Sequence, residues 1–234
     1  MGTLILVRHG KSEWNIKNIF TGWTDVDLAE EGVKEAKQAG KLIKEKGLKI
    51  DICFTSYLKR AIKTSWTLLE SANMLHIDTI KSWKLNERHY GEWQGRNKEI
   101  VKKEIGDDGF WKIRRGYETP PPTITVDDKR HPRFEAKYQS LLPSQLPVGE
   151  SLEQTRKRVV SYFFEKIVPE LIQGKSVIVV AHGNSLRSLI GQIAEINPKE
   201  MPKIEIQTGV PHIYEFDENL NVMDHYILKE LAVH

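Results

Sequence analysis

The feature that most constrains this chain occurs twice. Leu4-Ile5-Leu6-Val7 runs into Arg8-His9-Gly10-Lys11-Ser12, and Val177-Ile178-Val179-Val180 runs into Ala181-His182-Gly183-Asn184-Ser185. Short, branched and uninterrupted apolar runs read as strands buried on both faces, which is the pattern of a parallel sheet. Both runs end in His-Gly-x-Ser. In open α/β sheets, ligands bind beyond the carboxyl ends of the strands, where strand order reverses. Two histidines at matching strand ends are therefore expected to converge on one ligand. A single one would read as a hydrogen-bonded structural residue. The glycine after each lets the backbone turn and approach a ligand closely.

The rest of the chain alternates in the same rhythm. Glu30 to Lys46 carries apolar residues at helical spacing and is followed by Gly47. Ile50 to Phe54 reads as a strand. Thr55 and Ser56 are placed to cap the next helix, whose inner face is Leu58, Ala61, Ile62, Trp66 and Leu69. Leu152 to Ile172 reads as one helix disturbed near its end by Pro169, and Ser185 to Ile196 as another. His212 to Phe216 and Asp224 to Leu228 read as late strands. The expectation is one α/β domain over 1–234, a mainly parallel central sheet with helices on both faces. Residues 116–149 break the rhythm. They hold six of the ten prolines, and so long a connection is read as an insertion over the site, a lid. Residues 227–234 are read as a tail.

Composition excludes several classes. A net charge of +3 gives no global case for nucleic acid. No run approaches a membrane span, and no basic stretch precedes the first apolar run. The single cysteine, Cys53, permits no internal disulfide and reads as a small buried thiol, which fits a cytoplasmic protein.

Phosphoryl transfer needs a nucleophile, cations for the phosphate oxygens, and a proton shuttle for the leaving oxygen. His9 offers a nitrogen that is largely neutral near pH 7. Arg8 adjoins it as a planar fork, and Arg60 falls in the first turn of a helix, a natural anion position. His182, if protonated, would add positive charge. The stretch Leu85 to Gly95 mixes Glu, Arg, His, Tyr and Trp without a helical or strand period, and a carboxylate there could move protons. Lys98 and Arg114-Arg115 are further cations, which by themselves read as a solvated face.

Taken together, these residues resemble a known family. Arg8-His9-Gly10 with Ser12 and Asn15 resembles the histidine phosphatase superfamily signature. Six further blocks look like the cofactor-dependent phosphoglycerate mutases: Phe20 to Val26, Thr55 to Ala61, Trp83 to Gly91, Trp111 to Gly116, Ala181 to Arg187 and Thr208 to Pro211. The resemblance runs from about Leu4 to Tyr226. It implies a phosphoglycerate mutase-like fold and interconversion of 3-phosphoglycerate and 2-phosphoglycerate. 2,3-Bisphosphoglycerate would prime the enzyme, without a metal. His9 would be the phosphohistidine, Glu87 the proton donor and acceptor, and Arg8, Arg60 and His182 the phosphoryl binders. Ser12, Asn15, Thr21, Gly22, Arg88, His89, Tyr90, Lys98, Arg114, Arg115, Gly183 and Asn184 would hold substrate. A homo-oligomer, dimer or tetramer, is implied.

The sequence also departs from that family. Lys11 stands where Glu is usual and is read as pointing to solvent. Ala29 replaces a Ser or Thr helix cap. Trp93, Arg96, Gln207 and His212 are further departures. A phosphatase of the same superfamily and a catalytically dead phosphate-binding scaffold are the alternatives. A bisphosphoglycerate mutase is disfavoured because that subgroup tends to carry glycine at the Ser12 position.

Overall fold

The computed structural model describes residues 2–229. Six strands, β1 (Thr3–Arg8), β2 (Ile52–Thr55), β3 (Asp78–Lys81), β4 (Ser176–Ala181), β5 (Pro211–Phe216) and β6 (Val222–Ile227), form one sheet in the order β3-β2-β4-β1-β5-β6. The first four in that order are parallel; β5 runs antiparallel to β1, and β6 antiparallel to β5. The helices are α1 (Glu13–Ile16), α2 (Glu30–Glu45), α3 (Lys59–Ser71), α4 (Lys98–Arg114), α5 (Leu152–Tyr162), α6 (Val168–Ile172) and α7 (Gly183–Ile193).

Side chains alternate along a strand, so each apolar run feeds two cores. Leu4, Leu6, Val177 and Val179 pack with Val159, Leu171, Leu186 and Leu189 of α5, α6 and α7. Ile5, Val7, Ile178 and Val180 pack on the other face with Ala39 and Ile43 of α2 and with Leu68 and Leu69 of α3. Cys53 is buried in this second core, which pushes its thiol up to about 12. A smaller cluster of Phe20, Trp93, Val101 and Phe110 supports the loops at the carboxyl end of the sheet.

Several local expectations are corrected. Neither Thr55 nor Ser56 is the cap of α3: Leu58 holds that position, and Asp25 Oδ1 accepts the Lys59 N–H at 2.7 Å. The buried face of α3 is Ala61, Thr64, Ser65, Leu68 and Leu69, while Trp66 is half exposed. Thr64 Oγ1 accepts the Gly10 N–H at 3.1 Å. Docking small polar residues under the turn after β1 rotates Trp66 outward. The long helix before β4 is split by a π-helical turn, Phe163–Ile167. Pro169 lacks an N–H, and its ring crowds the carbonyl four residues back, so the turn before it widens. Helix α7 opens at Gly183, not Ser185, because Ser185 Oγ accepts the His182 N–H at 3.0 Å.

Residues 116–149 form three short 3₁₀ turns, at Pro132–Phe134, Ala136–Tyr138 and Pro143–Gln145. Asn86 donates to the buried Tyr138 hydroxyl at 2.8 Å, Arg88 donates to Thr119 O, and Arg130 donates to Glu92 O and Gln94 O. The segment thus braces the loop over 86–94 from behind. Of the expected tail, Ile227 ends β6, and residues 230–234 lie outside the described residues.

The departures are mostly local. Lys11 pairs with Glu31 and approaches Glu35. Ala29 makes no side-chain cap, and Asp27 does not replace it, because its oxygens take the Leu28 N–H and Lys63; such a missing cap costs about 1 kcal/mol. Trp93 fills the small aromatic cluster, Arg96 pairs with Glu104, and Gln207 is exposed. Burial, more than the charge of His225 beside it, pushes His212 down to about 4.

Candidate active site

Strands β1 and β4 pair in register with Arg8 opposite Ala181. Both His-Gly turns therefore leave the sheet at one level. His9 N–H donates to Ala181 O at 2.9 Å, and the rings of His9 and His182 lie 5.0 Å apart. His9 Nδ1 is 2.7 Å from Gly10 O. A carbonyl only accepts, so the hydrogen sits on Nδ1 and the lone pair is left on Nε2. Burial, then the charges of Arg60 and Arg8, hold His9 well below its ordinary value. The neutral ring therefore offers a free Nε2 lone pair without needing a base.

Cations surround this nitrogen. Arg60 is almost fully buried and is fixed by donation to Thr24 O and Gly22 O at 3.0 and 2.8 Å. Burial lowers it to about 10, with Glu87 and Asp25 opposing, so it keeps its charge at neutral pH. Among the described residues, Arg8 is anchored by one bond to Ile206 O, and its Nε is buried without a partner, as is Thr21 Oγ1. Unmet buried donors of this kind cost about 1–3 kcal/mol each unless a ligand takes them. Lys98, Arg114 and Arg115 complete the wall with Asn15, Gly22 and Tyr90, around a cavity of about 240 Å³.

Glu87 enters from the loop after β3. Its Oε1 accepts the N–H groups of Arg88 and Asn184 at 2.8 and 3.0 Å. Oε2 is left free to take or give a proton. Gly183 sits among these groups: a side chain there would meet Arg187, Glu87 and Arg8. Glycine keeps the cavity open where α7 begins.

The sequence profile of the histidine phosphatase superfamily, branch 1, matches residues 4–130 and 121–228. The chain belongs to the histidine phosphatase superfamily. Two relatives carry the name 2,3-bisphosphoglycerate-dependent phosphoglycerate mutase. The protein of Nautilia profundicola is 50% identical over 226 residues, 97% of this chain and 99% of its own. That of Staphylococcus carnosus is 48% identical over 228 residues, 97% of this chain and all of its own. Among solved structures, YhfR of Bacillus stearothermophilus shares the fold with a TM-score of 0.70 at 23% identity, covering 93% of this chain and 92% of its own.

Most of the expected residues of this superfamily member meet at the cavity. Arg8, His9, Asn15, Thr21, Gly22, Arg60, Glu87, Tyr90, Lys98, Arg114, Arg115, Gly183 and Asn184 all line it. Three expected binding residues do not. Ser12 is buried as the N-cap of α1, exchanging bonds with Asn15. Arg88 is buried away from the cavity and donates to Glu150 O, Ile113 O and Thr119 O. His89 lies against Trp23, its Nδ1 accepting the Gly91 N–H, and burial lowers it to about 3. A sequence shows that such residues cluster but not which of them turn inward. His182 is fully buried beside His9, ring to ring at 5.0 Å, and is not among the residues that line the cavity. It is also held neutral, by burial first and then by Arg60, rather than protonated. No residue of 116–149 lines the cavity.

Four wall residues escaped the sequence reading, the apolar Ile19 and Phe20 and the charged Arg187 and Glu205. Arg187 is buried, donates to Ile204 O at 2.8 Å and Asn184 Oδ1 at 3.2 Å, and is lowered by burial to about 10. Asn184 in turn donates to the Tyr90 hydroxyl at 3.0 Å. Glu205 pairs with Arg115 at 3.0 Å. The helical period of α7 gave no sign that Arg187 faces inward, since a charged residue on a helix ordinarily reads as solvated.

Burial, with Arg114 and Arg8, lowers Lys98 to about 8. Below that pH the ammonium is charged, and above it the charge is lost. A phosphomonoester is already dianionic above pH ~7, its second pKa being about 6. Binding of an anionic substrate is therefore expected to weaken as pH rises from 7 to 9.5, seen as a rising KM. Lys98→Arg should flatten that rise, because guanidinium keeps its charge.

Proposed function

We propose that this chain interconverts 3-phosphoglycerate and 2-phosphoglycerate through a phosphohistidine at His9, an isomerase step of glycolysis and gluconeogenesis. One observation carries the reading. A neutral imidazole with Nε2 free, a carboxylate with one free oxygen, and six cations share a single small cavity. That arrangement suits a compact, intensely anionic ligand. The names of the relatives at about half identity point the same way.

The same cavity fits 2,3-bisphosphoglycerate. Arg8 Nε and Thr21 Oγ1 are unpaired donors there, and Arg60, Lys98, Arg114, Arg115 and Arg187 leave an excess of positive charge over Glu87 and Glu205. When bound, it supplies the phosphoryl group that primes His9. The chain's own groups then act in turn. His9 Nε2 forms the N–P bond as the ester P–O bond breaks, and Glu87 protonates the leaving oxygen. Later Glu87 takes the proton of a glycerate hydroxyl, which attacks phosphorus as the N–P bond breaks. Arg8 and Arg60 neutralise the phosphoryl oxygens throughout. Tyr90, Lys98, Arg114 and Arg115 hold the carboxylate and the second phosphate.

The test is a coupled assay with 3-phosphoglycerate, with and without 2,3-bisphosphoglycerate and with a chelator present. Strong stimulation by the bisphosphate and indifference to the chelator are expected. Release of inorganic phosphate without 2-phosphoglycerate would replace the mutase by a phosphatase. Glu87→Gln should lower kcat by about 100-fold with KM nearly unchanged. A change confined to KM would remove Glu87 from proton transfer.

The proposal places the enzyme in the cytoplasm as a homo-oligomer, dimer or tetramer, which sedimentation of the pure protein checks. Among the described residues, no helix is long and apolar enough to cross a membrane.

A further inference from the structure

His182 presents a hydrogen-bonding problem that its neighbours resolve. The ring is fully buried, 5.0 Å from that of His9. Its Nε2 lies 2.7 Å from Ser56 Oγ, and its Nδ1 is buried with no partner among the described residues. A neutral imidazole has one donor and one acceptor, and the partner of one nitrogen decides which is which.

Ser56 makes that decision. It is itself fully buried, just beyond the end of β2, and its Oγ already accepts the Leu58 N–H at 3.1 Å. If His182 also donated to it, the hydroxyl hydrogen would be left without an acceptor among the hydrogen bonds of the structure. With Ser56 donating to Nε2, both groups are satisfied on that side. The proton of His182 then sits on Nδ1, the atom that lacks a partner. A buried N–H left unmet on a ring packed 5.0 Å from that of His9 is a donor kept for a group carried by His9.

We propose that Ser56 is a positioning residue: by donating to His182 Nε2 it fixes the Nδ1–H tautomer, so that a neutral His182 gives a hydrogen bond to the phosphoryl group in transfer at His9. The assignment rests on the phosphohistidine reading for its function, though not for its tautomer. It also explains how His182 assists without the positive charge that its burial opposes. A fixed donor of this kind costs no reorganisation when charge develops on the transferring oxygens.

The test has two arms. In the unliganded wild-type protein, ¹⁵N NMR of the imidazoles should show His182 protonated at Nδ1 and bare at Nε2. The opposite tautomer, or an imidazolium at pH 7, overturns the proposal whatever the enzyme catalyses. In the second arm, Ser56→Ala should slow phosphorylation of His9 and kcat by about 10- to 100-fold, with KM within about twofold. Ser56→Thr, which keeps the hydroxyl, should recover most of the rate. Both variants are compared at matched thermal stability, so that loss of the Leu58 bond is not mistaken for the effect. A Ser56→Ala rate within twofold of wild type sinks the proposal. Absence of any phosphohistidine in the wild type would instead sink the functional reading and leave the tautomer result standing.

Discussion

His9→Ala is expected to lower phosphoryl transfer by at least about 10⁴-fold and to leave the fold standing. The reason lies in the division of labour. Arg8, Arg60, Lys98, Arg114 and Arg115 can bind and neutralise phosphate, but none carries a lone pair at neutral pH. His182 is no substitute, because Nε2 is engaged with Ser56 and, in the proposed tautomer, Nδ1 carries the ring hydrogen and has no lone pair to offer. Stability should change little: the ring is neutral and gives up one hydrogen bond, to Gly10 O, worth about 1 kcal/mol. Two measurements check this: the coupled assay, and incorporation of acid-labile, base-stable phosphate, which should vanish. Residual activity above about 1% of wild type in a well-folded variant would place the nucleophile elsewhere.

What could be read beforehand follows from the range of the interactions. The duplicated strand and its histidine depend on local pattern, and the sheet sets the two copies side by side because buried parallel strands pair in register. By contrast β3, Asp78–Lys81, is a short and largely exposed edge with no apolar run to announce it. Helix α4 carries a break at Gly106 with φ of 76° and only two buried residues, so its spacing gives little signal. In the site, identity was legible and direction was not. Arg88, His89 and Ser12 lie in the right blocks but turn into the protein, whereas Arg187, a helix residue with a solvent-like pattern, turns inward. Side-chain direction there is fixed by carbonyls distant in sequence, such as Ile204 and Glu150, and no local period encodes them.

Glu150→Ala is expected to destabilise the protein by about 3–5 kcal/mol, lowering the midpoint by roughly 6–20 °C. Glu150 and Arg158 form a buried two-bond pair, Oε1 to Nε at 2.7 Å and Oε2 to Nη2 at 2.8 Å. Oε2 also accepts the His89 N–H, and Arg158 donates to the carbonyls of Lys84, Asn86 and Glu87 at 2.8, 2.9 and 2.8 Å. Removing the carboxylate strands a buried guanidinium and a buried amide at once. The knot also holds the backbone from which Glu87 reaches the cavity, so activity should fall beyond what unfolding explains. Adding Arg158→Met separates the two effects. The stranded charge goes, and much of the stability should return, because a well-packed apolar pair often replaces a buried ion pair at little cost. The three carbonyls still lack their donor, so the Glu87 loop stays loose and kcat stays low. Thermal melts and the coupled assay on the single and double variants check this; full recovery of kcat in the double variant would show that Arg158 organises stability alone.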